Sequence, residues 1–373
     1  MIKGFLSTGR VGMGSNSLVR ERQEGEGIVT GGKVPSAAAH DDGAPSTRLT
    51  SLEICAGAGG LARGLEDAGF DPVLLLDNRP VACETLRTNR PHWDVRELDL
   101  VQFDPADEQQ VYDVRLLSGG LPRVKSPAAA NRTRGNDAEF AVLAAAVDLI
   151  YGVQPQAILL ENVPDLARKA EYQPVRKFVG EELAHLGYRF RWHVLDAKDY
   201  GVPQHREVGF LVGFKDDLID RFEWPAPHPG PTPTVGEALR ASMGARGWAG
   251  ADKWADQADA PAPTIVGGSW DRGGADLGPT GAKRKWARMG IDGATVADEV
   301  PDADFVWNPG AGRSGLVPLT VEQAALLQGF PSEWRFAGRK TARYRQVGNA
   351  TPPPLARAVG EAIASALRSE ATS

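Results

Sequence analysis

The sequence predicts an α/β protein: a mostly parallel sheet with helices on both faces. Three observations carry this. From about residue 48, short apolar runs alternate with segments of helical spacing. A glycine-rich turn stands where the first run meets the first helix, as in nucleotide-binding folds. A late hairpin-like pair of runs adds an antiparallel edge.

Taken in order, LTSLEIC is a strand, LARGLEDAGF a helix and PVLLLD a second strand. RPVACETLRTNR is helical, WDVRELDL a short third strand and DVRLLSGG a fourth. AEFAVLAAAVDLIYGV has helical spacing and QAILLENV is a fifth strand. YRFRWHVLD and EVGFLVGF form the late pair. After Trp224 the composition shifts to Pro, Gly, Trp and Asp with weak periodicity, which reads as a smaller, irregular domain. TVEQAALLQGFP is helical, and PPPLARAVGEAIASALRSE is a last helix whose prolines stand where a missing N–H costs nothing. The expected organisation is a flexible tail over 1–47, a main domain over 48–224 plus 336–368, and an insert over 225–335.

A hydrophobic fraction of 42% allows a substantial core in 373 residues. Two cysteines, Cys55 and Cys83, argue against a disulfide framework and suggest a reducing compartment. No apolar run approaches the roughly 20 residues needed to cross a bilayer, and the N-terminus lacks a signal-peptide pattern. The expectation is a cytoplasmic protein with no membrane partner and no metal. A net charge of −6 speaks against a surface coated with nucleic acid and leaves room for a local basic cleft.

In EICAGAGG, Gly57, Gly59 and Gly60 let the backbone turn tightly and approach a ligand. Asp77 ends the second strand, where an acid accepts hydrogen bonds from ribose hydroxyls, and Asp99 ends the third, within reach of an adenine amino group. Each acid alone also reads as a helix cap or a solvated loop residue. The spacing does not separate NAD, FAD and S-adenosylmethionine, although the absence of a strict G-x-G-x-x-G leans away from the dinucleotides.

Six motifs in order then resemble those of the bacterial DNA cytosine-5 methyltransferases: SLEICAGAGGLARGLEDAGF, LLLDNRPVACETLRTNRP, LLSGGLP, ILLENV, YGVPQHREVGFLVG and YRQVGNATPPPLARAVGEAI. The resemblance spans roughly Leu49 to Leu367. It implies a Rossmann-like, S-adenosylmethionine-dependent catalytic domain completed by the last helix, with a target-recognition domain inserted before it. It also implies double-stranded DNA as partner and a flipped-out cytosine as substrate. By motif match, Glu161 holds a proton against ring N3, and Arg206 contacts the base carbonyl and supports Glu161. The cofactor positions are Glu53, Ala56, Gly57, Ala58, Gly59, Gly60, Asp77, Asn78, Asp99 and Leu100, and Asn349 ties the last motif to that pocket.

The match fails at the nucleophile. In that family a cysteine thiolate adds to carbon 6 and makes carbon 5 nucleophilic. Here Gly119-Gly120-Leu121-Pro122 is followed by Arg123, and the next stretch, KSPAAANRTRGND, is small, basic and without an aromatic residue. Arginine is neither nucleophile nor base at ordinary pH. Cys55 lies in the glycine turn and Cys83 in the following helix, and both read as small packing residues. The Gln-x-Arg-x-Arg motif is also incomplete, with Val208 in its last position. Losing a nucleophile costs roughly 10⁴- to 10⁶-fold in rate, by analogy with a serine protease, or about 5–8 kcal/mol.

In the insert, Lys283, Arg284, Lys285 and Arg288 surround Trp286, and GRKTARYR adds Arg343 and Arg345. Charge runs are often solvated faces; in a net acidic chain, two runs beside a base pocket point towards phosphate. Three readings follow: a cofactor- and DNA-binding homologue that regulates, decoys or partners a second methyltransferase subunit; an enzyme methylating an exocyclic amine such as cytosine N4 directly; or an ordinary cytosine-5 enzyme whose cysteine comes from another chain.

Overall fold

The computed structural model describes residues 48–124, 136–268 and 274–368. Seven strands form one sheet: β1 (Leu49–Ile54), β2 (Phe70–Asp77), β3 (Val95–Glu97), β4 (Leu116–Gly120), β5 (Ala157–Asn162), β6 (Tyr188–Asp196) and β7 (Glu207–Lys215), in spatial order β3-β2-β1-β4-β5-β7-β6. The first five pair in parallel, and β7 runs antiparallel to both β5 and β6. The reversed strand is therefore interior and β6 is the edge. Side-chain burial explains the placement. Residues Val208 to Phe214 of β7 are buried without a break, whereas β6 alternates buried and exposed positions as a half-solvated strand does.

The helices of the main layer are α1 (Gly60–Asp67), α2 (Pro80–Asn89), α3 (Asn136–Val153), α4 (Pro164–Arg168) and α5 (Gln173–His185). After the sheet come α6 (Val235–Met243), α7 (Ala251–Gln257), α8 (Thr280–Arg288), α9 (Val321–Leu327), α10 (Lys340–Asn349) and α11 (Pro353–Arg368). The last helix returns onto the first. At Gly64 of α1 a Cβ would lie 2.5 Å from both the Ala356 methyl and the Pro353 carbonyl, so the two backbones touch where only glycine fits.

The expectation of an irregular 225–335 segment is too sparse. It holds α6 to α9 around Leu239, Trp254, Trp286 and Val317, all fully buried, in a core that continues into Leu75 and Leu86 of the sheet layer. α9 is the helix expected over TVEQAALLQGFP, whereas α6, α7 and α8 are only seven to nine residues long, too short for periodicity to register. Two of the four open on capping boxes, Thr234 with Glu237 and Thr320 with Gln323, which satisfy first-turn N–H groups.

The tail over 1–47, most of KSPAAANRTRGND, and residues 269–273 and 369–373 lie outside the described residues. Among the described residues no helix is long and apolar enough to cross a membrane, and no His, Cys, Asp and Glu cluster could hold a metal ion.

Candidate active site

The C-terminal ends of β1, β2 and β4 open onto a cavity of about 1000 Å³. It brings together Glu53, Ala56, Gly57, Ala58, Gly60, Asp77, Asn78, Asp99, Leu100 and Asn349 from four distant stretches of chain. Gly57 has φ +55°, and a Cβ there would project into open space, so the turn leaves a cradle at the cavity wall. Gly59, at φ +80°, lies behind the turn and packs on Leu86 and Trp334 instead of lining the cavity. The Trp334 indole donates to the Ala58 carbonyl at 3.2 Å, a support from a residue 276 positions away that no motif marks.

The carboxylates brace this turn. Asp77 accepts from the Gly57 N–H through Oδ2 and from the Arg79 N–H through Oδ1, both at 2.8 Å. Burial raises its pKa, opposed by those N–H groups and the Arg79 charge. Asp99 caps a short 3₁₀ turn by accepting from the Val101 N–H at 3.1 Å, so its cap reading is realised while it still lines the cavity. Glu53 is buried, accepting from the Ala62 N–H at 3.1 Å and the Ser118 hydroxyl at 3.4 Å; burial pushes its pKa up to about 8 against both bonds.

Beside this cavity lies a second of about 550 Å³. Arg123, Glu161, Val163 and Arg206 line both, so they mark where the two meet. Register brings this about: Gly120 of β4 pairs with Glu161 of β5, and the Leu121 N–H donates to the Glu161 carbonyl at 3.1 Å. Asn162 then holds the following turn. Its Nδ2 donates to the carbonyls of Pro122 at 3.1 Å and Leu121 at 3.4 Å, and its Oδ1 accepts from the Val124 N–H at 3.3 Å. Arg123 therefore projects from a turn fastened on both sides.

Arg206 is buried, and its Nη1 donates to the carbonyls of Ile265 at 2.8 Å and Gly348 at 3.1 Å. Burial lowers its pKa to about 10; Glu161 pushes it up and Arg123 down. Burial raises the pKa of Glu161, while Arg206, then Arg123, then a hydrogen bond from Thr351 lower it. Thr351 was missed, although it stands two residues after Asn349 in a quoted motif. Asn162, in the ENV motif, was likewise given no role.

Neither thiol is primed. Cys55 is partly buried and packs against the core, as its reading as a packing residue has it, while its edge also reaches the cavity wall; burial, then Asp77, Asp99 and Glu53, push its pKa up to about 12. Cys83 is buried in α2 with its thiol towards the Asp77 carbonyl, and burial above all pushes its pKa up to about 11.

Of the basic residues, Arg284, Lys285 and Arg288 are exposed on α8, which buries Trp286 on its opposite side. Lys285 reaches the smaller cavity. Lys283 is engaged with Asp276 at 3.0 Å, and Arg343 with Glu322. Arg345 is half-buried on α10.

Comparison with known proteins gives the same family from several directions. Residues 49–365 match the model of the C-5 cytosine-specific DNA methylases. The Type II methyltransferase M.NaeI of Lentzea aerocolonigenes is 43% identical over 323 residues, 86% of this chain and 76% of the relative. M.NgoMIV of Neisseria gonorrhoeae is 39% identical over 331 residues, 87% of this chain and 99% of the relative. The fold is shared with the Dnmt2 methyltransferase of S. pombe (TM-score 0.57, 18% identity, 87% of this chain and 99% of that one). It is also shared with the Entamoeba histolytica methyltransferase EhMeth (TM-score 0.59, 13% identity, 85% and 98%). The chain belongs to the C-5 cytosine-specific DNA methylase family.

Proposed function

We propose that this protein binds S-adenosylmethionine and double-stranded DNA without methylating cytosine carbon 5 by the covalent route, and serves as a regulator, decoy or partner subunit to a methyltransferase. The observation that carries it is Arg123, held beside Glu161 and Arg206 at the junction of the two cavities, where the family's motif has its cysteine. The raised thiol pKa values of Cys55 and Cys83 support it, since the thiolate is the attacking form.

S-adenosylmethionine, the methyl donor of the family, supplies an electrophilic methyl group. The residues present fit it: the open cradle at Gly57, the acids Glu53, Asp77 and Asp99 for polar groups, and Leu100 and Ala56 as apolar walls. Glu161 and Arg206 would hold the base edge, and the smaller cavity would receive the flipped base. The segment over 225–335 is the target-recognition domain in this reading, with the exposed Arg284, Lys285 and Arg288 of α8 facing phosphate, while Lys283 and Arg343 would have to leave Asp276 and Glu322 to do so. The likeness to Type II methyltransferases supports a role beside a restriction-modification system.

The test is incubation of varied-sequence DNA with the protein and labelled cofactor, followed by mass spectrometry of the nucleosides, alongside calorimetry with the demethylated cofactor. Cofactor binding with unmodified DNA is expected. Methyl label on carbon 5 overturns the proposal; label on N4 replaces it with direct transfer to the exocyclic amine.

A further inference from the structure

We propose that Glu53 is the counter-ion for the ammonium of the cofactor's amino-acid end, and that cofactor binding drives a proton off this carboxyl into solvent. The inference rests on the cofactor-binding reading above and adds a linkage between that site and pH.

Three observations lead there. First, Glu53 is 1% exposed and yet lines the larger cavity, so a buried acid forms part of the cofactor wall. Second, both of its hydrogen bonds come from neutral donors, the Ala62 N–H at 3.1 Å and the Ser118 hydroxyl at 3.4 Å, and among the described residues no Lys, Arg or His pairs with it. A carboxylate taken out of water needs a cation, or else it keeps a proton. Third, the other two acids assigned to the cofactor are already provided for. Asp77 holds the backbone N–H groups of Gly57 and Arg79 and feels the Arg79 charge, and Asp99 accepts from the Val101 N–H and the Asn78 amide. Of the three, Glu53 alone has neither a cation nor a pair of backbone donors.

The surroundings keep it protonated. Burial pushes its pKa up to about 8. The turn after β1 brings Cys55 towards it, β2 brings Asp77 and the stretch after β3 brings Asp99, none of them a cation. From β4 it meets the Ser118 hydroxyl and from α1 the Ala62 N–H. The cations of the cavity act elsewhere: Arg79 on Asp77, and Arg206 and Arg123 on Glu161.

An ammonium changes this balance. It carries a full positive charge and three N–H donors. An opposite charge within a few ångströms lowers a carboxyl pKa by about one to three units. Glu53 then gives its proton to the buffer, and carboxylate and ammonium remain as a pair. Adenine and the ribose hydroxyls are neutral and cannot drive that exchange, and a sulfonium has no N–H to donate.

The test is calorimetry of the full chain with the demethylated cofactor at pH 7 in buffers of different ionisation heat, where the dependence of the measured heat on the buffer counts protons. About half to one proton should be released per cofactor bound. Affinity should accordingly rise with pH from 6 towards 8, since a binding step that releases a proton is favoured as pH rises. 5′-Methylthioadenosine, the same nucleoside without the amino-acid end, should release none. Glu53→Gln, with its unfolding midpoint as the check on folding, should also bind the demethylated cofactor without release. Binding to the natural protein with no release, or with proton uptake, overturns the proposal. So does an equal release with 5′-methylthioadenosine, an arm that needs no variant, and so does a release that survives Glu53→Gln. Failure of the demethylated cofactor to bind at all overturns the cofactor reading itself, and this inference with it.

Discussion

The side-chain amide of Asn162 donates to the carbonyl of Pro122 at 3.1 Å, and through that bond the strand bearing Glu161 fixes the turn bearing Arg123. Two strand ends that are 40 residues apart in sequence become one rigid wall of the site. Asn162→Ala should cost about 1–3 kcal/mol, because it leaves the Val124 N–H and the Pro122 carbonyl with their partner removed. Urea unfolding measures the loss; an unchanged midpoint and slope would show that the turn does not depend on this amide.

Replacing Arg123 tests the site from the other direction. Glu161, Arg206 and the cofactor cavity are assembled, so Arg123→Cys should form a covalent adduct with 5-fluorocytosine DNA where the natural protein forms none. Denaturing electrophoresis reads the adduct. An adduct in the natural protein would reveal a nucleophile elsewhere, against the proposed function.

Asp77 holds the Gly57 and Arg79 N–H groups, so it shapes the cradle whatever else it contacts. Asp77→Ala should weaken binding of the demethylated cofactor by roughly ten- to a hundredfold, which corresponds to about 1.4–2.8 kcal/mol. Calorimetry gives the affinity, and a loss below twofold would remove Asp77 from the cofactor site.

Arg206 bridges Ile265 and Gly348 while facing Glu161, so its removal uncovers two carbonyls and a buried carboxyl at once. Arg206→Ala should destabilise the protein by about 3–5 kcal/mol, as breaking one side of a buried charge pair does. Chemical unfolding monitors it; a loss under about 1 kcal/mol would mean that the two carbonyls find other partners.

Glu53 predicts a pH dependence. Its folded pKa, about 8, lies above the ordinary 4.5, so the fold favours the protonated carboxyl. Its stabilising contribution is complete below about pH 4.5 and is lost as pH rises through about 8. Glu53→Gln, which keeps a neutral group of the same shape, should therefore be gaining stability relative to the natural protein from pH 5 to pH 8. Thermal unfolding across that range shows the divergence, and parallel curves would place the carboxyl in a wetter setting.

Much of this was legible along the chain. The alternation of apolar runs and helical spacing gave all seven strands and helices α1, α2, α3, α9 and α11, because strands buried in a sheet are largely apolar and their boundaries carry glycine or charge. The site residues could be named from motifs, and the missing cysteine was evident from one residue. The short helices α6, α7 and α8 were not legible, because seven to nine residues give too few turns for a period to register.

The sequence by itself determined the layer architecture, the family and the chemical identity of each group at the site, since these follow from local pattern and residue type. Tertiary structure alone decided that β7 lies inside the sheet, that Gly59 is turned away from the cavity, that Asp77 spends both oxygens on backbone N–H groups, and that Asn162 locks Arg123 beside Glu161. The physical reason is that a hydrogen bond or a strand pairing joins residues far apart in the chain. Which lone pair or donor remains free for a ligand is known only once those partners have been brought together.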